Sequence, residues 1–188
     1  MSKISLPIRF LAFLLPIFLL LGCSPVRTLP DYRPLAFEAE VVWTRGDFSL
    51  SAQITASEKS APSDPSDRDL SISFLSPDAM RGIKLVRKSR EISVDCHGMT
   101  LSSQDFSDWL RVADLLLPTG SIRPISQTEF NGKTAQYAEI RIFQETSENA
   151  KEPSYEIYEL ILDQETGFPL QIRHADECLE VISFTPHS

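Results

Sequence analysis

The chain has 188 residues, and its 26 acidic against 18 basic side chains give a formal net charge of −8 at pH 7. Phosphates repel an acidic surface, so nucleic acid is excluded as an expected partner. The length predicts one domain, since a single hydrophobic core suffices for a chain of this size.

The chain begins with an apolar run from Phe10 to Leu21, preceded by Lys3 and Arg9 and by no acid. A membrane-spanning helix needs about 20 apolar residues, whereas the apolar part of a signal peptide takes roughly 7 to 15. The length therefore favours a signal peptide, and the basic start agrees because basic residues stay on the cytoplasmic side. We expect residues 1–22 to direct export.

The run ends in Leu20-Leu21-Gly22-Cys23, which resembles a bacterial lipobox. The resemblance implies a lipoprotein: diacylglyceryl transfer to the Cys23 sulfur, cleavage after Gly22, and acylation of the new N-terminus with a chain such as palmitate. Several acyl chains on one residue hold a protein stably at a membrane. The alternatives are an N-terminal transmembrane helix and a plain signal peptide with an incidental cysteine.

The next stretch, "SPVRTLPDYRP", has three prolines in eleven residues and no apolar periodicity. It is predicted to be an extended tether, so that residues 23–34 carry the lipid and residues 35–188 form the domain. Removing residues 1–22 takes away two basic and no acidic side chains, which leaves a formal charge of −10. Ser24 replaces the Asp that retains lipoproteins at a Gram-negative inner membrane. The expected location is thus the periplasmic side of the outer membrane, or the outer face of the cell membrane in other bacteria.

Alternation of apolar and polar residues predicts strands over most of the first half of the domain. The polar, Pro-containing stretch 56–69 is predicted to be a long loop. The predicted strands are 35–43, 48–55, 70–75, 83–88, 91–96 and a short one near 98–101.

One amphipathic helix is predicted in the middle of the chain. Ser102 or Ser103 can cap its start, and Pro118 and Gly120 end it. Its opposite face is expected to lie toward solvent and carries Asp108, Arg111 and Asp114. Its apolar face is expected to pack on a sheet and consists of Phe106, Trp109, Leu110, Ala113, Leu116 and Leu117.

After the helix, residues 119–133 are predicted to be a connection, with no strand assigned to them. Strands are then predicted at 135–143, 155–163, 169–174 and 178–184. Strands, one helix and again strands indicate a mixed α+β domain rather than a layered α/β fold.

The sequence predicts no enzyme, and we expect no catalytic residue, no metal and no cofactor. It contains no Ser nucleophile elbow, phosphate-binding Gly loop or zinc signature, and seven glycines are few for tight active-site loops. The acidic pairs Glu38/Glu40 and Glu156/Glu159 have the residue types of a hydrolase's acid and base. We assign them instead to the solvated outer faces of strands.

The histidines and cysteines do not form a recognisable site. Cys96 and His97 are adjacent, so on a strand their side chains diverge. His174, Asp176 and Cys178 would share one face if extended, yet no paired motif such as CxxC supports a metal site. Once the first cysteine is lipidated, Cys96 and Cys178 form either a disulfide or two buried free thiols.

Two blocks resemble a known superfamily. "LSISFLSPDAMRGIKLVRKSREISVDCHGMTL" and "LILDQETGFPLQI" look like the LolA/LolB-like lipoprotein-carrier folds, with a Pro-containing turn, a Gly that opens the next strand, and a late Gly-x-Pro turn. The residues that carry this resemblance are Ser76, Pro77, Gly82, Gly98, Asp163, Gly167 and Pro169.

The resemblance implies a mostly antiparallel incomplete barrel, or half-barrel, of about 9–11 strands wrapped around one helix. Its concave side would hold a lipid or another hydrophobic ligand. The alternatives are a filled core and a non-enzymatic protein that acts through contacts with an envelope partner. The candidate ligand contacts are Phe37, Val41, Trp43, Phe48, Leu50, Ile72, Phe74, Trp109, Leu110 and Leu116.

Overall fold

The computed structural model describes residues 28–58, 68–88, 91–102, 110–144 and 154–187. The predicted signal peptide, Cys23, Trp109 and the first half of the predicted helix lie outside these ranges. Within them, no helix is long and apolar enough to cross a membrane.

The described residues form eleven strands, one α-helix and a 3-10 turn at Asp78–Met80. In chain order the elements are β1 (Ala36–Arg45), β2 (Phe48–Ala56), β3 (Leu70–Ser76), β4 (Ile83–Lys88), β5 (Glu91–Cys96), β6 (Met99–Ser102), α1 (Arg111–Leu116), β7 (Arg123–Phe130), β8 (Lys133–Gln144), β9 (Ser154–Asp163), β10 (Pro169–His174) and β11 (Glu177–His187).

The strands make one antiparallel sheet in the order β6-β5-β4-β3-β2-β1-β11-β10-β9-β8-β7. The first and last strands join its two halves, because β1 pairs with β11 from Ala36↔His187 to Arg45↔Glu177. The sheet does not close on itself within the described residues, since β6 and β7 are its two edges. This confirms the predicted mostly antiparallel, incomplete barrel. We call the end where β1 stops at Arg45 the far end.

Alternate side chains of the strands point to one apolar face, called here the inner face. On β1, Phe37, Ala39 and Val41 have no solvent exposure, and their neighbours on β2 are Ala56, Ile54 and Ala52. The other face carries polar side chains such as those of Glu38 and Gln53, which form a hydrogen bond at 2.6 Å. The alternation predicted from the sequence for these strands is therefore confirmed.

Helix α1 covers part of the inner face. Val112, Ala113, Leu115 and Leu116 are buried, and the helix packs on β10 and β11. A helix of six residues is not stable alone in water, because nucleation costs more than so few hydrogen bonds return. Its existence depends on this packing.

The folded part begins before residue 35, which corrects the tether boundary expected from the sequence. Tyr32 is 1% exposed, and its hydroxyl donates to the Leu116 carbonyl at 2.8 Å. Arg33 donates from Nη1 to the Pro118 carbonyl at 2.6 Å. Burial raises the pKa of Tyr32, so this hydroxyl remains a donor. Residues 28–34 therefore belong to the folded part rather than to a tether.

A glycine turn receives this N-terminal segment. Gly167 has φ +77°, and a Cβ added there would lie 2.8 Å from the Pro30 carbonyl oxygen. Asp163 holds the turn by accepting hydrogen bonds at Oδ1 from the amides of Glu165 and Thr166 at 3.0 and 2.8 Å. Only glycine fits both the backbone conformation and the close approach.

Arg68 closes the same end of the sheet, although the sequence placed it in a polar loop. It is 3% exposed and donates from Nε to the Ser57 carbonyl and from Nη1 to the Arg33 carbonyl, both at 2.7 Å. Nη2 bonds the carbonyls of Leu35 and Ser57. The guanidinium carbon also lies 5.3 Å from the Phe37 ring centre. Burial, and then a neighbouring guanidinium, lower the pKa of Arg68 to about 10, so it is still charged at neutral pH.

Strand β7 lies where the sequence predicted a connection, and that prediction is wrong. Most of its side chains are exposed, and Pro124 interrupts its register with β8, so its apolar alternation is weak. The turn into β8 is made by Asn131 and Gly132, with φ of +50° and +76°. Such a pair is typical of a two-residue hairpin.

The Tyr32 hydrogen bond generates a stability prediction. Tyr32→Phe leaves a helix-terminal carbonyl without its buried donor, and we expect the free energy of unfolding to fall by about 1–2 kcal/mol. The matched control is Tyr155→Phe. Tyr155 is 49% exposed, and loss of its hydroxyl should change the free energy of unfolding by less than about 0.5 kcal/mol. Urea unfolding of both variants measures the difference. Equal stability of the two variants would contradict the assignment.

Candidate functional site

Five polar side chains meet on the inner face at the far end of the sheet, and we call them the His174 network. They are Arg111 from α1, Glu156 and Tyr158 from β9, His174 from β10, and Glu177 from β11. The sheet order makes these three strands neighbours, and the register places His174 directly opposite Glu177. The packing of α1 on β10 and β11 adds the guanidinium.

The network is a continuous chain of hydrogen bonds. Arg111 donates from Nε to Glu177 Oε2 at 2.8 Å, and its Nη2 lies 2.7 Å from the same oxygen in the ion pair. The same Nη2 lies 2.9 Å from His174 Nδ1, and His174 Nε2 lies 2.7 Å from Glu156 Oε1. The Tyr158 hydroxyl donates to that oxygen at 3.0 Å, and its ring stacks on the imidazole with centres 4.3 Å apart.

Burial decides which members of the network depend on their partners. The Glu177 side chain is 3% exposed and that of His174 14%, against 40% for Arg111. A carboxylate so deeply buried needs a paired cation, and Arg111 supplies it. Its hydrogen bond to Glu177 raises the pKa of Arg111. Burial and then the hydrogen bond to Glu156 raise the pKa of Tyr158 to about 12, which keeps the phenol neutral.

The network can hold and pass a proton, because imidazole, carboxylate and phenol lie in hydrogen-bond contact. None of its members is a serine, threonine or cysteine nucleophile. Over the described ranges, no three His, Cys, Asp or Glu side chains are placed to share a metal ion. In particular, Asp176 lies on the turn between β10 and β11 and pairs with Arg45 at 3.1 Å.

Most candidate ligand contacts named from the sequence lie in one buried cluster. Trp43 and Phe48 lie at the edge of this cluster at the far end of the sheet, and we call this edge the margin. Trp43 is partly buried and Phe48 is 47% exposed, with their ring centres 5.8 Å apart. Trp109 lies outside the described residues. The buried candidates are Phe37, Val41, Leu50, Ile72, Phe74, Leu110 and Leu116. The structure thus brings together the side chains of a core, and a ligand would have to enter from its margin.

The structure does not bring the two remaining cysteines together. Cys96 ends β5 and Cys178 lies near the start of β11, and four strands separate those two in the sheet. Both are free thiols.

The sequence missed the network for two identifiable reasons. Glu156 was assigned to an outer face, but it has the inward parity of Tyr158 and Leu160 and lies in the network, whereas Glu159 is exposed. Arg111 was assigned to the solvent side of the helix, yet its long side chain reaches the sheet. The sequence pattern that could have revealed the network was a polar residue at an inward position of each of three consecutive strands.

A separate pocket of about 240 Å³ lies where the N-terminal segment crosses the start of β7. Arg33 lines it, but this guanidinium already donates to Asp31 and to the carbonyls of Pro118 and Gly120. Its charge and donors are therefore engaged within the fold, which makes the pocket a weak candidate for an anionic ligand.

An apolar patch lies on the outer face of the β8–β9 hairpin, and we call it the outer patch. It consists of Phe143, Tyr155 and Ile157, which are 59%, 49% and 43% exposed. The two rings contact edge to face with centres 5.9 Å apart. Exposed apolar side chains that cluster in this way are typical of contact surfaces.

Comparisons with solved structures agree with this fold. An uncharacterized conserved protein from Thermus thermophilus matches at 17% identity and a TM-score of 0.51, over 82% of this chain and 80% of that one. At this identity the likeness establishes the fold alone. No protein-family model and no curated protein matches the sequence.

Two further matches have lower TM-scores. The Pseudomonas aeruginosa MucA/MucB complex matches at 16% identity and a TM-score of 0.46, over 83% of this chain and 53% of that one, so this chain spans about half its length. A LolA superfamily protein from Nitrosomonas europaea matches at 8% identity and a TM-score of 0.40, over 85% and 89%. The solved structures that match this chain therefore include members of the LolA superfamily.

The Arg111–Glu177 pair generates a second stability prediction. Arg111→Gln leaves a buried carboxylate without its cation, and we expect a loss of about 2 kcal/mol, less than for a fully buried pair because Arg111 is partly exposed. The matched control is Arg45→Gln, which breaks the exposed pair with Asp176 and should cost less than about 1 kcal/mol. Chemical unfolding at neutral pH measures both. A larger loss in the control variant would contradict the account.

Proposed function

We propose that the protein is a lipoprotein of the bacterial cell envelope whose domain binds a lipid or another hydrophobic ligand on its inner face and has no enzymatic activity. Acylated Cys23 would anchor it to the membrane. The observation that carries this proposal is a mismatch of size. Eleven strands at a spacing of about 4.8 Å make a sheet about 50 Å across, whereas a six-residue helix is about 9 Å long.

The inner face is therefore apolar over more strands than the two on which the described residues of α1 mainly pack. Buried apolar side chains extend from β1 to β5 on one side and through β9 and β8 on the other, while α1 packs on β10 and β11. In the structure these side chains are buried and belong to one hydrophobic cluster. An acyl chain makes the same apolar contacts as the side chains that it would displace. The inner face can therefore accept a ligand when the margin opens.

Trp43 adds a polar feature at that margin. Its Nε1 is buried and has no hydrogen-bond partner within the part of the chain that the structure describes. A buried donor without an acceptor costs about 1–3 kcal/mol. A ligand oxygen, such as that of an ester or carboxylate, would remove this cost, which favours an oxygen-bearing amphiphile over a pure hydrocarbon.

Ligand binding is tested with two exposed phenylalanines. Phe48 lies beside Trp43 at the margin, whereas Phe143 lies in the outer patch, and substitution of either should leave the core intact. We expect Phe48→Ser in the protein without its lipid anchor to weaken binding of a fluorescent long-chain fatty acid about threefold to tenfold, and Phe143→Ser to leave it unchanged. A short-chain analogue should not bind.

The binding proposal fails if the wild-type domain neither binds the long-chain probe nor carries extractable lipid after purification. It also fails if both serine variants weaken the probe equally, because the inner face would then have no special role.

The outer patch favours a second candidate function, which is contact with another envelope protein. The same two variants separate the candidates. A protein that crosslinks to the wild type in intact cells, is retained by Phe48→Ser and is lost with Phe143→Ser indicates the contact function. Fatty-acid binding that is weakened by Phe48→Ser but not by Phe143→Ser, with no such crosslinked protein, supports entry of a ligand at the margin.

Membrane anchoring is tested separately by Cys23→Ser. We expect this variant to leave the membrane fraction of disrupted cells, because the thioether-linked lipid cannot form. Cys96→Ser is the matched control, since it removes a thiol from the domain and should remain membrane-bound. Retention of Cys23→Ser in the membrane after a salt wash would contradict lipidation.

A further inference from the structure

The His174 network fixes the position of one proton. A guanidinium has only donors, so the contact of Arg111 Nη2 with His174 Nδ1 at 2.9 Å requires Nδ1 to accept. The ring proton therefore sits on Nε2 and is donated to Glu156 Oε1 at 2.7 Å. In this arrangement the imidazole is neutral, and Arg111 bonds both His174 and Glu177.

Among the described residues, titratable groups face the imidazole from α1, β9 and β11. Arg111 comes from α1, Glu156 and Tyr158 from β9, and Glu177 from β11, with Glu177 Oε2 3.8 Å from Nδ1. On its own hairpin, Asp176 is nearby and already paired with Arg45. Two carboxylates and one guanidinium thus compete for the ring.

We propose that protonation of His174 releases the first turn of α1 from the sheet. A proton on Nδ1 turns this atom into a donor that faces the Arg111 donor, and two donors cannot share the contact. Glu177 Oε2 is the nearest acceptor, so the imidazolium takes over that carboxylate. Arg111, already 40% exposed, then moves into solvent. The exchange keeps the buried Glu177 paired with a cation and needs no other group.

Loss of the contact between Arg111 and Glu177 affects the N-terminal end of α1 and not its last turn. Arg111 is its first residue, and the preceding Leu110 makes no side-chain capping hydrogen bond. The last turn is held independently by the Tyr32 hydroxyl on the Leu116 carbonyl. Protonation therefore loosens the end of α1 that lies beside the far end of the sheet. This release would open the margin in an acidic medium, an inference that rests on the proposed ligand function.

The test is hydrogen–deuterium exchange of residues 111–116 in the protein without its lipid anchor, measured in buffer that contains neither detergent nor ligand. Measurements are made at about pH 8 and about pH 5, on either side of the ordinary histidine pKa of about 6.5, and are corrected for intrinsic amide exchange. We expect protection of α1 to fall about tenfold at the lower pH, while β1 and β11 stay protected. His174→Gln, which can accept from Arg111 and donate to Glu156 but cannot titrate, should abolish this fall.

His187→Gln is the matched control, because it removes an exposed histidine at the end of β11 and should behave as the wild type. The proposal is overturned if His174→Gln loses protection at low pH as the wild type does, or if wild-type α1 is equally protected at both values. No ligand takes part, so a working switch in a protein that binds no fatty acid would refute the proposed function alone.

A second measurement decides the matter if His174→Gln does not fold. In the wild type, NMR follows the His174 ring and the α1 amides across the same pH range. Coincident midpoints are expected, since one proton drives both changes. Midpoints that differ by more than about one pH unit would overturn the proposal, because two changes driven by the same proton share one midpoint. The exposed His97 and His187 serve as internal references.

Discussion

Helix α1 is held on the sheet by side chains at both of its ends, and an open sheet of eleven strands depends on that cover. At its last turn Tyr32 bonds the Leu116 carbonyl, and at its first residue Arg111 bonds Glu177. Between these contacts the helix buries four apolar side chains against β10 and β11. So short a helix has no stability of its own, so its position is set wholly by what it touches.

The two attachments differ in chemistry, and this difference gives the domain a fixed end and a responsive end. At the fixed end, Arg68 is satisfied by backbone carbonyls, which do not titrate, and Gly167 admits the Pro30 carbonyl closely. At the far end, the contact to α1 passes through a histidine and two carboxylates.

The sequence predicted the sheet well because its signal is local. Alternation along β1 to β3 follows directly from residues that are buried on one side. Strand β7 was not predicted, because an edge strand buries few of its side chains and so shows weak alternation. Asn131-Gly132 nevertheless marked its hairpin turn. The burial of Tyr32 and Arg68 was not predicted, because their sequence neighbours include prolines and serines that suggest exposed chain. Their hydrogen-bond partners are 84 and 35 residues away along the sequence. The His174 network needed the strand order as well, since parity alone places Glu156, His174 and Glu177 inward without showing that they meet.

The central claim is that the inner face binds a ligand, and a structure of the domain with a bound long-chain fatty acid tests it most directly. The account predicts the acyl chain against Ile72 and Phe74, its oxygen near Trp43 Nε1, the first turn of α1 displaced, and the Tyr32–Leu116 hydrogen bond intact. A fatty acid found on the outer patch or beside Arg33, with α1 still bonded to Glu177, would contradict it.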